Sequence, residues 1–119
     1  RQMMVNFREE RGWGKYHTPR NLLLALVAEV GELSELFQWK GEVSNGLPDW
    51  SEKEKSDLGD ELTDVLVYTV GLANACHVDL PAAVIKKMEQ NAKKYPAERV
   101  FGSVKKYHAY EEWKQENSE

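Results

Sequence analysis

The sequence predicts an all-α fold, and three observations carry that prediction. Apolar residues recur at three- and four-residue spacing along most of the chain. Helix-start signatures stand at Thr18-Pro19, at Ser51-Glu52-Lys53-Glu54 and at Asp79-Leu80-Pro81. Between the periodic stretches lie short breaks, with no internal repeat, low-complexity tract or Ser/Gly-rich linker. The 119 residues fit one hydrophobic core, and short connections favour antiparallel neighbours, so the expected architecture is a four-helix bundle.

The first helix is expected over Arg1–Arg11, with Met4, Phe7 and Arg11 at helical spacing. It opens without a cap, which suggests residues upstream of Arg1. Gly12–His17 breaks the pattern. Thr18 is then a natural N-cap for a helix with proline at its first position, expected to run from Pro19 to about Lys40. Gly41–Trp50 is rich in turn formers. Ser51 and Glu54 form a capping box that opens a third helix, expected to reach about Cys76. The fourth runs from Asp79-Leu80-Pro81 to about Tyr95 and is stopped by Pro96. The expected domain is therefore 1–96, followed by a tail, 97–119, with a weak helical stretch at Tyr107–Gln115. On the second helix, Leu22, Leu23, Leu26, Val27, Val30, Leu33, Leu36 and Phe37 cover nearly half the circumference. A stripe that broad suggests a buried subunit interface.

Composition narrows the function. With 41% hydrophobic residues the chain reads as globular, and its longest apolar run, Leu22–Ala28, is too short for a membrane span. Sixteen Lys and Arg against 20 Asp and Glu give a charge of −4, which argues against a nucleic-acid polymer as partner. The single cysteine, Cys76, cannot form an internal disulfide, and no basic-then-apolar leader opens the sequence. A cytoplasmic location is expected.

Acidic residues inside the apolar pattern carry the chemistry. At roughly 100° per residue, setting Glu29 at zero places Leu22, Leu33, Leu26 and Phe37 at roughly 20–80°, with Glu32 at the edge of that arc. Setting Glu61 at zero places Leu72, Val65, Leu58 and Leu62 at roughly 20–100°, with Asp64 beside Asp57 and Tyr68. Acidic pairs three residues apart are common on solvated helix faces and mean little alone. Two inward-edge pairs on successive helices, with no Arg or Lys in either seam, are different. Carboxylates in an apolar seam need a partner, and four of them need a cation. An all-oxygen set suits Mg²⁺, or Mn²⁺, better than zinc. Glu29, Glu32, Glu61 and Asp64 are the candidate metal ligands. Glu29 or Glu32 is also the candidate catalytic base, and spacing does not choose between them.

Glu29-Val-Gly-Glu32 followed by Glu61-Leu-Thr-Asp64 resembles the E-x-x-E plus E-x-x-D signature of the all-α nucleotide pyrophosphatases, the MazG-like superfamily. The strings Phe7–Trp13, His17–Leu26, Glu29–Lys40 and Lys87–Asn91 resemble its dCTP pyrophosphatase branch over about Met4–Pro96. The resemblance implies Mg²⁺-dependent hydrolysis of a nucleoside triphosphate between its α and β phosphates, in a homotetramer with sites assembled between subunits. It also implies a role in removing unwanted nucleotides, modified ones included, from the cellular pool.

On the fourth helix Lys87, Asn91, Lys94 and Tyr95 share a face. Spacing alone leaves this face open between a solvated edge and a phosphate and sugar site, and the resemblance favours binding for Lys87 and Asn91; Arg20 is a lesser candidate. The resemblance likewise makes Trp13 and Trp39 the stacking platform for a base, with His17 beside Trp13. Trp50 and Trp113 are read as structural. Tyr68 offers a hydroxyl to sugar or phosphate. The sequence departs from some members of the branch at Met4, where they place a histidine facing the base. Two rivals were weighed. A ferritin-like di-metal bundle needs Glu-x-x-His pairs, and none of His17, His77 or His108 follows a glutamate at that spacing. A non-catalytic helical oligomerisation module would keep its acids solvated and its stability indifferent to Mg²⁺.

Overall fold

The computed structural model describes residues 1–102, which form five α-helices and no strand. The expected stretch at Tyr107–Gln115, His108 and Trp113 lie outside the described residues. The helices are α1 (Gln2–Glu10), α2 (Pro19–Glu35), α3 (Glu52–Ala75), α4 (Leu80–Lys94) and the single turn α5 (Ala97–Val100). A 3-10 turn at Trp13–Lys15 joins α1 to α2. No single helix is long and apolar enough to cross a membrane. The chain divides into two compact units, Arg1–Asp79 and Leu80–Glu119.

The predicted caps form. Thr18 accepts a hydrogen bond from the Asn21 backbone N–H with Pro19 at the first helical position, and Ser51 and Glu54 complete a reciprocal capping box. Helix α2 ends five residues before the expected Lys40. From Leu36 to Lys40 the backbone bonds reach back three residues instead of four, as in Phe37 N–H to Ser34 O at 3.1 Å, and Gly41 then turns at φ 66°. The tightening brings the Phe37 ring onto Trp50, with centroids 4.9 Å apart. Trp50 is 7% exposed and Lys40 Nζ sits 5.2 Å over its ring, so it is the structural tryptophan the sequence suggests.

Within the first unit α2 packs chiefly against α3, and α1 reaches both the 3-10 turn and α3. Leu22 is the one fully buried large side chain among the described residues, and it lies 3.6 Å from where a Cβ on Gly71 would stand. A glycine there lets the two helices approach closely. The broad stripe on α2 splits in two. Leu22 is buried and Leu26, Leu33, Leu36 and Phe37 are half-buried, whereas Leu23, Val27 and Val30 are exposed. On α3, Leu62 and Leu66 are exposed as well.

On α1 the residues turned inward are Met4, Val5 and Arg8, not the Met4, Phe7 and Arg11 face read from spacing. Phe7 is 50% exposed, and Arg11 folds back over its ring at 3.6 Å. In the second unit, α4 carries Lys87 on its exposed surface and a half-buried Asn91. The Asn91 carbonyl accepts from the Tyr95 N–H at 2.9 Å, closing the last turn just before Pro96.

Candidate metal and nucleotide site

Three of the four predicted acids converge. Glu29 and Glu32 lie one turn apart on α2, Glu61 lies on α3, and one carboxylate oxygen from each falls within 4.8 Å of the others. Glu29 and Glu61 are half-buried, and Oε2 of each is closed to solvent without a hydrogen-bond partner. None of the ion pairs among the described residues involves any of the four acids. Asp64 stands outside this closest group but near enough for its charge to act on both Glu29 and Glu61.

The electrostatics follow from crowding. Burial pushes the Glu29 carboxyl up to about 7, helped by a hydrogen bond that its protonated form donates to Glu32 and by the charges of Glu32, Asp64 and Glu61. The Glu61 carboxyl is likewise raised, by burial first and then by the charges of Glu32 and Asp64. Buried carboxylates with orphaned oxygens and like-charged neighbours form a ready cage for a hard cation, because the donor set is all oxygen and lacks internal positive charge. The residues present therefore fit a divalent ion.

Beside the acids opens a cavity of about 380 Å³ within the first unit. Glu29 and Asp64 line it, together with Trp13, His17 and Tyr68, so five of the predicted residues share one space. The aromatic wall is stacked: Phe7 meets Trp13 edge to face at 5.8 Å, and Trp13 lies 6.3 Å from His17. Burial first, and then the nearby Arg8 charge, lower the His17 imidazole from its ordinary pKa. The wall is held in place from α2, since the Asn21 side chain donates to the Tyr16 carbonyl at 2.9 Å.

Trp39 does not line this cavity; it is 87% exposed. Arg20, too, is exposed and absent from the lining. Lys87, Asn91, Lys94 and Tyr95 belong to the second unit. Sequence reasoning missed three polar contributors to the cavity, Arg1, Arg8 and Asn74. Arg8 had a usable signal, since it sits four residues after Met4 on the same helical face. Asn74 ends the α3 face and accepts two hydrogen bonds from Arg1, at 3.1 Å to Nε and 2.5 Å to Nη2.

The scaffold is all-helical among the described residues, and carboxylates from two adjacent helices meet beside an aromatic-walled cavity. The model of the MazG-like family matches residues 24–109, and the chain belongs to that family. It is similar to dCTP pyrophosphatase 1 of Rattus norvegicus, 54% identical over 107 residues, and to that of Homo sapiens, 52% identical over the same length. Each match covers 90% of this chain and 63% of the relative, so the chain spans less than two thirds of the curated relatives' length. The fold is similar to the crystal structure of a pyrophosphatase from Archaeoglobus fulgidus, with TM-score 0.70 and 40% identity over 80% of this chain and 87% of that one.

Proposed function

We propose that the chain is a Mg²⁺-dependent nucleoside triphosphate pyrophosphatase that hydrolyses dCTP, or related and modified dNTPs, to the monophosphate and pyrophosphate. The observation that carries this reading is the convergence of Glu29, Glu32 and Glu61 beside a cavity walled by Trp13, His17 and Tyr68. Its similarity to dCTP pyrophosphatase 1 over 90% of the chain supports the choice of substrate.

Glu29, Glu32, Glu61 and Asp64 would hold Mg²⁺, or Mn²⁺ in its place. When bound, the ion supplies charge neutralisation for the phosphates and acidity to a coordinated water. The chain's own residues do the rest. Glu29 and Asp64, in the cavity lining, set where the triphosphate end would lie. Trp13 stacks the base, His17 borders it, and the Tyr68 hydroxyl reaches sugar or phosphate. Glu29 or Glu32 accepts the proton released as water attacks. The P–O bond between the α and β phosphates breaks and pyrophosphate departs.

Lys87, Asn91, Lys94 and Tyr95 supply a phosphate and sugar face, and Trp39 completes a base platform across a subunit boundary. The exposed Leu23, Val27, Val30, Leu62 and Leu66 support a homotetramer, because so much apolar surface on one small unit favours burial against copies of itself. A cytoplasmic role in cleansing the nucleotide pool is consistent with this chemistry. A panel of dNTPs assayed with Mg²⁺ for pyrophosphate tests the function. Release of orthophosphate would overturn the reaction class, and full activity in Glu29→Gln and Asp64→Asn would overturn the metal assignment.

A further inference from the structure

The cavity contains a cation that the acidic site does not account for. Arg8 projects from α1, half-buried, and its Nε is closed to solvent with no hydrogen-bond partner. Among the described residues no carboxylate lies within 4.0 Å of it. Arg8 lines the cavity, and a guanidinium has only donors, so a ligand that meets it there must bring acceptors. The cavity's other arginine, Arg1, already donates twice to Asn74.

Arg8 shares the cavity with Trp13 and His17. Its charge acts on His17, whereas the shifts at Glu29 and Glu61 come from burial and from one another's carboxyls. A planar guanidinium reads two adjacent acceptors best. Cytosine presents N3 and O2 side by side. Thymine and uracil place an N–H at position 3, which interrupts the pair. Met4, one turn earlier on the same wall, offers no comparable donor.

Building on the dCTP reading above, we propose that Arg8 is a specificity-determining residue of the base site, donating in a fork to N3 and O2 of a cytosine stacked against Trp13. Steady-state kinetics on dCTP, dTTP and dUTP with Mg²⁺, for the full chain and its Arg8→Ala and Arg8→Lys variants, test it. The expected result is a fall of about 10- to 100-fold in the dCTP-to-dTTP ratio of kcat/KM in Arg8→Ala, carried mainly by KM. Lysine recovers only part of the ratio, because an ammonium cannot fork. Tryptophan fluorescence titrated with deoxycytidine, without phosphate or metal, should show the same weakening. Arg8→Lys keeps the charge and length of the side chain and decides the matter should Arg8→Ala not fold.

Equal losses on all three triphosphates, with deoxycytidine binding unmoved, would place Arg8 on the phosphates and overturn the proposal. A wild type that prefers dCTP, with variants that keep the preference, would overturn Arg8's role and leave the function standing. A wild type that hydrolyses none of the three would instead overturn the dCTP reading itself.

Discussion

Glu29 on α2 and Glu61 on α3 each keep one carboxylate oxygen out of water with nothing bonded to it, while a third carboxylate, Glu32, brings an oxygen within 4.8 Å of theirs. The arrangement is costly for the chain alone, since desolvation and like-charge repulsion act in the same direction.

Stability should therefore respond to a divalent ion. Mg²⁺ at about 100 times its Kd is expected to stabilise the fold by about 2.7 kcal/mol. Glu29→Gln should raise the melting temperature of the ion-free protein, abolish most of the Mg²⁺ response, and lower kcat by at least about 100-fold, an order typical of losing a group that acts in the transition state. Differential scanning calorimetry with and without Mg²⁺ measures the first two effects. A melting temperature indifferent to Mg²⁺ would restore the oligomerisation-module reading.

Binding of that ion should depend on pH. Glu29 holds its proton up to about 7, and a cation must displace it. Mg²⁺ affinity should fall about tenfold for each pH unit below 7 and level off above it. Titration calorimetry at pH 6, 7 and 8 in buffers of different ionisation enthalpy would detect the displaced proton. Affinity flat across that range would contradict the shift.

A second carboxylate shifts the other way. The Lys40 ammonium, with the Ser51 backbone N–H behind it, pulls Glu54 down to about 2. In the unfolded chain this carboxyl takes up its proton near its ordinary 4.5, so between pH 4.5 and 2 the unfolded state binds more protons. The stabilisation is present above about 4.5 and is lost as pH falls toward 2. Urea midpoints recorded from pH 5 to 2.5 should drop less steeply in Glu54→Gln than in the wild type.

Much of the fold was legible because its punctuation is chemical. Thr18-Pro19 and the Ser51/Glu54 box are local bonds between neighbours, and they form where spacing put them. Glu29 and Glu61 could be placed inward because helical periodicity is set by the backbone. Other features depend on partners distant in sequence. The early end of α2 reflects Phe37 docking on Trp50, and the inward face of α1 is decided by its packing on α3. For Arg8 the spacing from Met4 was the one local signal, and a lone arginine near a helix end reads as solvated until the opposite wall is known.

Packing yields a paired prediction. Leu22→Ala removes the fully buried side chain at the α2–α3 contact and should cost about 2–5 kcal/mol in chemical denaturation. Val27, on the same helix, is 61% exposed, so Val27→Glu should change the subunit's own packing little. If that face joins copies of the chain, sedimentation should show the Val27→Glu protein at lower mass. A tetramer unaffected by the substitution would move the interface elsewhere.

The bond from Asn21 to the Tyr16 carbonyl ties the Trp13–His17 wall to the first turn of the helix that later delivers Glu29. Eleven residues separate the Thr18 cap from Glu29, about 16 Å of helix axis at 1.5 Å per residue. Helix α2 is thus a ruler, clamped at one end to the aromatic wall and graduated at the other by the acidic group. Inserting one residue would advance the far mark by about 1.5 Å and rotate it by about 100°. Under the proposed function that length sets the distance from base to metal, so chain length between Thr18 and Glu29 becomes a determinant of what can be cut.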